Sequence, residues 1–375
     1  MPRVQRALLA IWLIAASLAA ACAPAAGPTA GGAGQPAGGS AARSPALQAL
    51  IDTASREGQV SYADTGAPEI LAEQAKRFNE RFGTNIAVEL VPLRATETST
   101  RVRQEIAAGK VTVDVIHPSS GLVYGLIDDK VDALEPFDWV GTFGDTLPEI
   151  GQVVERVPEV ARGRALEFQH LVRAMVYNKN LVPAANVPKS WDDLLDARWK
   201  GKRLAIDPQG SSSYQHVARW DDARVLDYSR KLAAQDPLWV GSTINVARAV
   251  GRGEALVGIT AVDNILDLQR EGEPVELAPT EFYPATQQLV FPVKGSPHVN
   301  AARLWTAWLV TEGIPIAAAL GQSNQRAWPD SNSEMARKLV ELKGDLAMLS
   351  SQSDLERADR VRTQIVDEYK RLGAR

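Results

Sequence analysis

From residue 47 onward, apolar residues recur at two spacings, one helical and one extended. Leu47, Leu50, Ile51 and Ala54 share one face of a helix that Gly58 ends. Val60 to Ala63 is a short apolar run and reads as a strand. Ile70, Leu71, Ala75, Phe78 and Phe82 then line one side of a helix over 68–82. Residues 86–91 read as a strand, 98–108 as a helix stopped by Gly109, and 113–116 as a third strand. Strands alternating with helices predict an α/β fold with a mostly parallel sheet covered on both faces. Ligands of such sheets bind beyond the carboxyl ends of the strands. This makes Asp64 and Thr65 candidates after the first strand, and His117, Ser119 and Ser120 after the third.

A second informative stretch runs from Lys189 to Gln215. Ser190 and Asp193 have the spacing of a capping box, and Trp191, Leu194 and Leu195 give the turn an apolar side. Residues 203–207 read as a buried strand. Pro208, Gln209 and Gly210 follow, then Ser211, Ser212 and Ser213 at the start of a helical run. A strand that feeds such a turn presents free backbone N–H groups and the positive end of a helix dipole, a cradle for a small anion. Gln209 and the serines are therefore candidate ligand residues; capping of the next helix is the alternative for the serines. Trp191, Trp199, Trp305 and Trp308 read as core, and Trp328, before Pro329, as either core or site.

The first 45 residues follow different rules. Arg3 and Arg6 precede the apolar run 7–16, too short for a membrane span, and Leu18-Ala19-Ala20-Ala21-Cys22 resembles a bacterial lipobox. Residues 1–21 are thus expected to be a signal peptide, with Cys22 lipidated. Residues 22–45, rich in Ala, Gly and Pro, are expected to form a flexible tether. Gly32, Gly34 and Ala37 match a dinucleotide fingerprint in form only, since no strand precedes them and no helix follows.

Composition narrows the function. The chain has 375 residues, 45% hydrophobic and 23% charged, with material for a large core. A net charge of −4 without a long basic run argues against nucleic acid as a partner. The single cysteine excludes an intramolecular disulfide and a cysteine-rich metal site. Neither Gly109-Lys110 nor Gly201-Lys202 continues into a phosphate-binding loop. Zinc-protease and nucleophile-elbow motifs are missing, and His117, His170, His216 and His298 are widely spaced. No enzyme activity, cofactor or metal is expected.

The run SWDDLLDARWKGK, with its strand and Ser-rich turn, resembles the extracellular family 1 solute-binding proteins of ABC importers, which include ferric-iron and aminophosphonate binders. LIDTASREGQVSYADTG, AAGKVTVDVI, RAMVYNKNLVP, AVGRGEALVGIT and KGSPHVNAARLWTAWLVTEG fit in order, covering about residues 47–313. The resemblance implies a type II periplasmic-binding-protein-like fold, two lobes each with a central, mostly parallel sheet, joined by two hinge crossovers. Residues 46–173 and 282–328 would form lobe 1 and residues 174–281 lobe 2, with helices from 329–375 lying on lobe 2. It implies capture of a small solute by hinge closure, and delivery to an ABC permease and its ATPase; Arg173 and Ser211 to Ser213 suggest that the solute is a small organic anion. The protein would be an exported, lipid-anchored monomer.

The ferric members' ligand positions fall on Gly66, Ser119, Val262 and Asp263, of which only Asp263 suits a hard cation. Their anion-gripping arginine falls on Arg173, which is retained. Thr260 and Asp263, in the run VGITAVDNI, are candidate ligand residues of the second lobe, with an amine or hydroxyls as Asp263's partner. The alternatives are a ferric-iron binding protein of the same family and a non-transport exported enzyme or receptor on the same fold.

Overall fold

The structure is a computed structural model that describes residues 43–93, 95–128, 130–209, 213–322 and 325–374. The expected alternation opens it: α1 (Pro45–Glu57), β1 (Gln59–Ala63), α2 (Pro68–Phe82), β2 (Ala87–Val91), α3 (Ala95–Ala107) and β3 (Val115–Ile116). Gly58 closes α1 at φ 71° and Gly83 closes α2 at φ 71°, a left-handed conformation that costs glycine little. Short elements follow: α4 (Ser120–Tyr124), the hairpin β4 (Ile127–Asp128) and β5 (Val131–Asp132), α5 (Trp139–Phe143) and α6 (Ile150–Glu155).

The long strand β6 (Leu166–Asn178) then crosses the molecule. After it come β7 (Leu204–Ile206), α7 (Asp222–Ala233), β8 (Leu238–Trp239), α8 (Thr243–Gly251), β9 (Val257–Ala261), α9 (Val262–Arg270) and β10 (Val275–Leu277). The second long strand, β11 (Phe282–Pro292), returns. The chain ends with α10 (Val299–Trp308), α11 (Ile314–Ala319), α12 (Glu334–Leu342), β12 (Asp345–Leu349) and α13 (Gln352–Arg371). The Ser190–Asp193 capping box forms as expected, on a 3-10 turn over Trp191–Leu195.

Among the described residues, one hydrogen-bonded path runs β2-β1-β3-β11-β6-β9-β7-β8, with β10 beside β6 and β12 beside β11. Its ends are parallel: β1 with β2 and β3, and β7 with β8 and β9. Its middle is antiparallel, where β6 meets β11 and β9. β6 pairs with β11 from Leu166 to Val172 and with β9 from Arg173 to Tyr177. The hydrophobic clusters divide at the same place. Phe168 and Leu289 belong to clusters built from residues 47–168 and 289–314. Val172 and Ala285 belong to clusters built from 172–285 and 327–374. The chain thus has two halves that share two long strands. Trp191, Trp199, Trp305 and Trp308 are all core.

The C-terminal region differs from the all-helical expectation. Asp345–Leu349 forms β12, parallel to Phe282–Thr286 of β11, with Ala347 and Leu349 buried. Alternating burial over five residues is a strand signal that the charged helices on either side obscure.

A buried polar network ties the return segment to β6. Glu167 and His170 are fully buried, and the His170 imidazole lies 3.0 Å from the Glu167 carboxylate. The Ala327 N–H donates to His170 Nδ1 at 2.8 Å, so Nε2 carries the proton toward Glu167. Trp328 Nε1 donates to the same carboxylate at 2.9 Å, and the His170 N–H donates to the Gln325 carbonyl at 2.9 Å. Burial alone would raise the Glu167 pKa. His170, Arg326 and Trp328 outweigh it and hold the carboxyl below its ordinary value. Trp328 is therefore a structural donor.

Candidate functional site

β1 delivers its chain to Asp64, Thr65 and Gly66, as the turn chemistry requires. Asp64 Oδ1 accepts the N–H groups of Thr65 at 2.7 Å and Gly66 at 3.2 Å. His117, which follows β3, places Nε2 3.4 Å from the same oxygen. Burial would raise the Asp64 pKa, but the hydrogen bond and charge of His117 and the two N–H groups hold it down. The His117 ring is wedged between Tyr62 and Phe168, with centroids at 5.6 and 4.9 Å. The amide of Gln322 rests against Gly66, where an added Cβ would come within 2.7 Å of it.

The second half contributes the start of α9. Thr260 is fully buried; its hydroxyl donates to the Thr243 carbonyl at 2.7 Å and accepts from Asn264 Nδ2 at 3.0 Å. Asp263 lies in the first turn of α9, and its Oδ1 is buried without a hydrogen-bond partner. Desolvation drives its carboxyl pKa well up and Asp267 adds to this, against the opposing charges of Arg270 and Arg173. Arg173, at the partner switch of β6, is buried, and its Nε has no hydrogen-bond partner among the described residues.

A cleft of about 720 Å³ is walled by Asp64, Thr65 and His117 from one half and Arg248, Asp263 and Asn264 from the other; Thr260 and Arg173 do not line it. Its floor is Gln169 of β6 and Gln288 of β11, directly paired in the sheet. Gln169 Nε2 donates to Gln288 Oε1, while Gln169 Oε1 is buried and unpaired. His117 Nδ1, Gln169 Oε1, Arg173 Nε and Asp263 Oδ1 are thus four buried polar atoms without a hydrogen-bond partner among the described residues. Such atoms are costly unless something else satisfies them; those of His117, Gln169 and Asp263 belong to residues lining the cleft, and the Arg173 charge acts on Asp263.

Some expected site residues lie elsewhere. Ser213 is fully buried, its hydroxyl 2.7 Å from that of Ser229 on α7 and its carbonyl 2.8 Å from His216 Nδ1. It anchors the 3-10 turn Tyr214–Ala218 to α7 and does not line the cleft. Gln209 is exposed; its N–H is held by Asp207, and its carbonyl accepts from Arg362 at 3.2 Å. Ser119 caps α4 through its carbonyl and lines an adjoining pocket, and Ser120 is buried with its hydroxyl unpaired. Ser211, Ser212 and Cys22 fall outside the described residues. Gln169, Gln288, Asn264 and Arg248 were not anticipated. Strand alternation was the available signal for Gln169, which shares a face of β6 with Arg173.

Comparison with known proteins agrees with this architecture. A family profile described as bacterial extracellular solute-binding protein matches residues 62–314. An uncharacterized protein of Haemophilus influenzae is 31% identical over 189 residues, 47% of this chain. The chain spans 55% of that relative's length. Iron-bound HitA from Pseudomonas aeruginosa has a similar fold, with a TM-score of 0.62 at 18% identity over 84% of this chain and 99% of its own. AfuA from Actinobacillus pleuropneumoniae, solved with fructose-6-phosphate, gives 0.60 at 18% identity over 84% and 99%. The spermidine/putrescine binding protein PotD from Streptococcus pneumoniae gives 0.60 at 14% over 83% and 99%.

Proposed function

The chain belongs to the bacterial extracellular solute-binding protein family, and from that premise we propose that it captures a small zwitterionic organic solute between its two halves and delivers it to an ABC permease. In this reading residues 46–173 and 282–328 form one lobe, and 174–281 with 329–375 the other. Cys22 carries the lipid, residues 23–45 the tether, and the protein works as an exported monomer. The lobes close on the solute, and contacts that exist only in the closed state hold it there.

The observation that carries the proposal is a buried cation and a buried acid that each keep a polar atom without a partner among the described residues. The buried Arg173 offers a planar, multidentate guanidinium to a carboxylate or phosphonate. Asp263 offers its unpaired carboxyl oxygen to an ammonium. Asp64, aimed by His117, and Arg248 complete the polar wall. Short amino acids and 2-aminoethylphosphonate carry both charges. A melting-temperature screen of the full chain against these, with neutral sugars and simple salts beside them, tests the class. A rise with zwitterions alone supports it; a rise with neutral sugars alone contradicts it.

Ferric iron is the less favoured reading. Of the positions where the ferric members' ligands fall, Val262 is a fully buried apolar residue and only Asp263 offers an oxygen suited to a hard cation. Among the described residues, no group of three His, Cys, Asp or Glu side chains could hold a metal ion.

A further inference from the structure

A second cavity, of about 370 Å³, adjoins the polar cleft, and the sheet shows how the two are related. Gln169 and Gln288 form a directly opposed pair, as do Leu171 and Thr286, one step of two residues further along the same two strands. Side chains two residues apart on a strand project from the same face, about 7 Å apart. The first pair floors the polar cleft and the second floors this cavity. Ser119, two residues after His117, stands at its edge as His117 stands at the cleft.

The chemistry changes over that step. Tyr124 of α4 and Tyr214 form walls of the second cavity, and Leu355 and Ala358 of α13 its roof. These tyrosines, Leu355 and Ala358 all pack with the hydrophobic cluster of the second half. α13 also reaches the first half: Gly121 of α4 lies against Leu355, and the Tyr124 hydroxyl donates to the Ser350 carbonyl at 3.4 Å. Arg362, over the Tyr214 ring at 6.0 Å, marks a charged rim. An apolar cavity of about 150 Å³ holds a benzene ring, so this one has room for a ring and its linker.

We propose that the binding site has two compartments and takes an amphipathic zwitterion. Its charged head occupies the polar cleft, and an aromatic or branched alkyl tail lies over Leu171 beneath α13. The C-terminal helix thereby becomes a specificity element that reads tail size. The proposal rests on the charged-head reading given above.

The test is titration calorimetry on the full chain with two matched pairs: L-alanine and L-phenylalanine, and 1-aminoethylphosphonate and 1-amino-2-phenylethylphosphonate. The phenyl member of at least one pair is expected to bind about tenfold tighter or more, the margin that burial of a ring provides. Ala358→Trp, which fills the cavity, is expected to bring the two members to equal affinity. Leu171→Asn, at a partly exposed position, is expected to shrink the margin and serves if Ala358→Trp does not fold. Equal affinity of both members in the wild type overturns the two-compartment proposal and leaves the charged-head reading standing. A margin that survives in both variants also overturns it, since the ring then lies elsewhere. Binding of no member contradicts the charged-head reading and this proposal with it.

Discussion

Arg173 pairs across the sheet with Ala261, two residues before Asp263, and the Arg173 and Asp263 side chains each hold a buried polar atom that no described residue satisfies. Arg173 thus lies on the strand beside the one that leads into α9, and its charge offsets the burial of Asp263 only in part. For Asp263 the consequence is a proton held well above the ordinary aspartate range. A group with a raised folded pKa stabilises the fold below its unfolded value and loses that contribution as pH rises through the folded value. The ligand-free protein should therefore lose stability from about pH 4 upward through this group. Asp263→Asn should flatten that slope and raise stability at neutral pH by about 0.5–2 kcal/mol, while solute binding is lost. Urea melts of both proteins at several pH values measure it. Unchanged slopes would show that Asp263 is already ionised.

Acid should act oppositely on Asp64 and Glu167, whose carboxyls are held below their ordinary values. Their contribution is present above the unfolded carboxylate pKa and disappears as pH falls through the folded one. Removing His170 should remove part of that contribution while Arg326 and Trp328 still hold Glu167, so His170→Leu should destabilise by about 1–3 kcal/mol, the usual cost of leaving buried hydrogen-bonding groups without a partner. Thermal melts between pH 3 and 7 check this; a variant as stable as wild type at pH 7 would contradict the network.

Ser213 should behave as a structural residue. Ser213→Ala should lower stability by about 0.5–1.5 kcal/mol through its lost hydrogen bond to Ser229. Calorimetry should show solute affinity within twofold of wild type.

How far these features were legible in the sequence depends on how local their causes are. α1 and α2 were readable because their apolar spacing and closing glycines lie within a few residues, and the Ser190–Asp193 box formed where its spacing placed it. β12 was missed because it exists through pairing with β11, some sixty residues away. Arg173, Asp64, His117 and Asp263 were read as site residues from strand ends and family resemblance. Ser213 misled because a strand-to-helix turn does not reveal which of its side chains point inward. Alternation puts Gln169 on the face of β6 that carries Arg173, but only the register across the sheet shows that it meets Gln288 there.

Ferric iron should not bind tightly between the halves. Titration of the full chain with ferric citrate is expected to give neither a charge-transfer band nor a melting shift. A stoichiometric band would show that oxygen donors at other positions assemble a metal site.

The most direct measurement is calorimetry on Arg173→Ala beside wild type, using the zwitterion that gives the largest melting shift with the wild-type protein. Truncating one partner of a buried charge pair typically costs about 2–5 kcal/mol, or roughly thirty- to several-thousand-fold in affinity. The account predicts a loss in that range from a variant that melts cooperatively and keeps the wild-type circular dichroism. A folded Arg173→Ala that binds the zwitterion as tightly as wild type would contradict it.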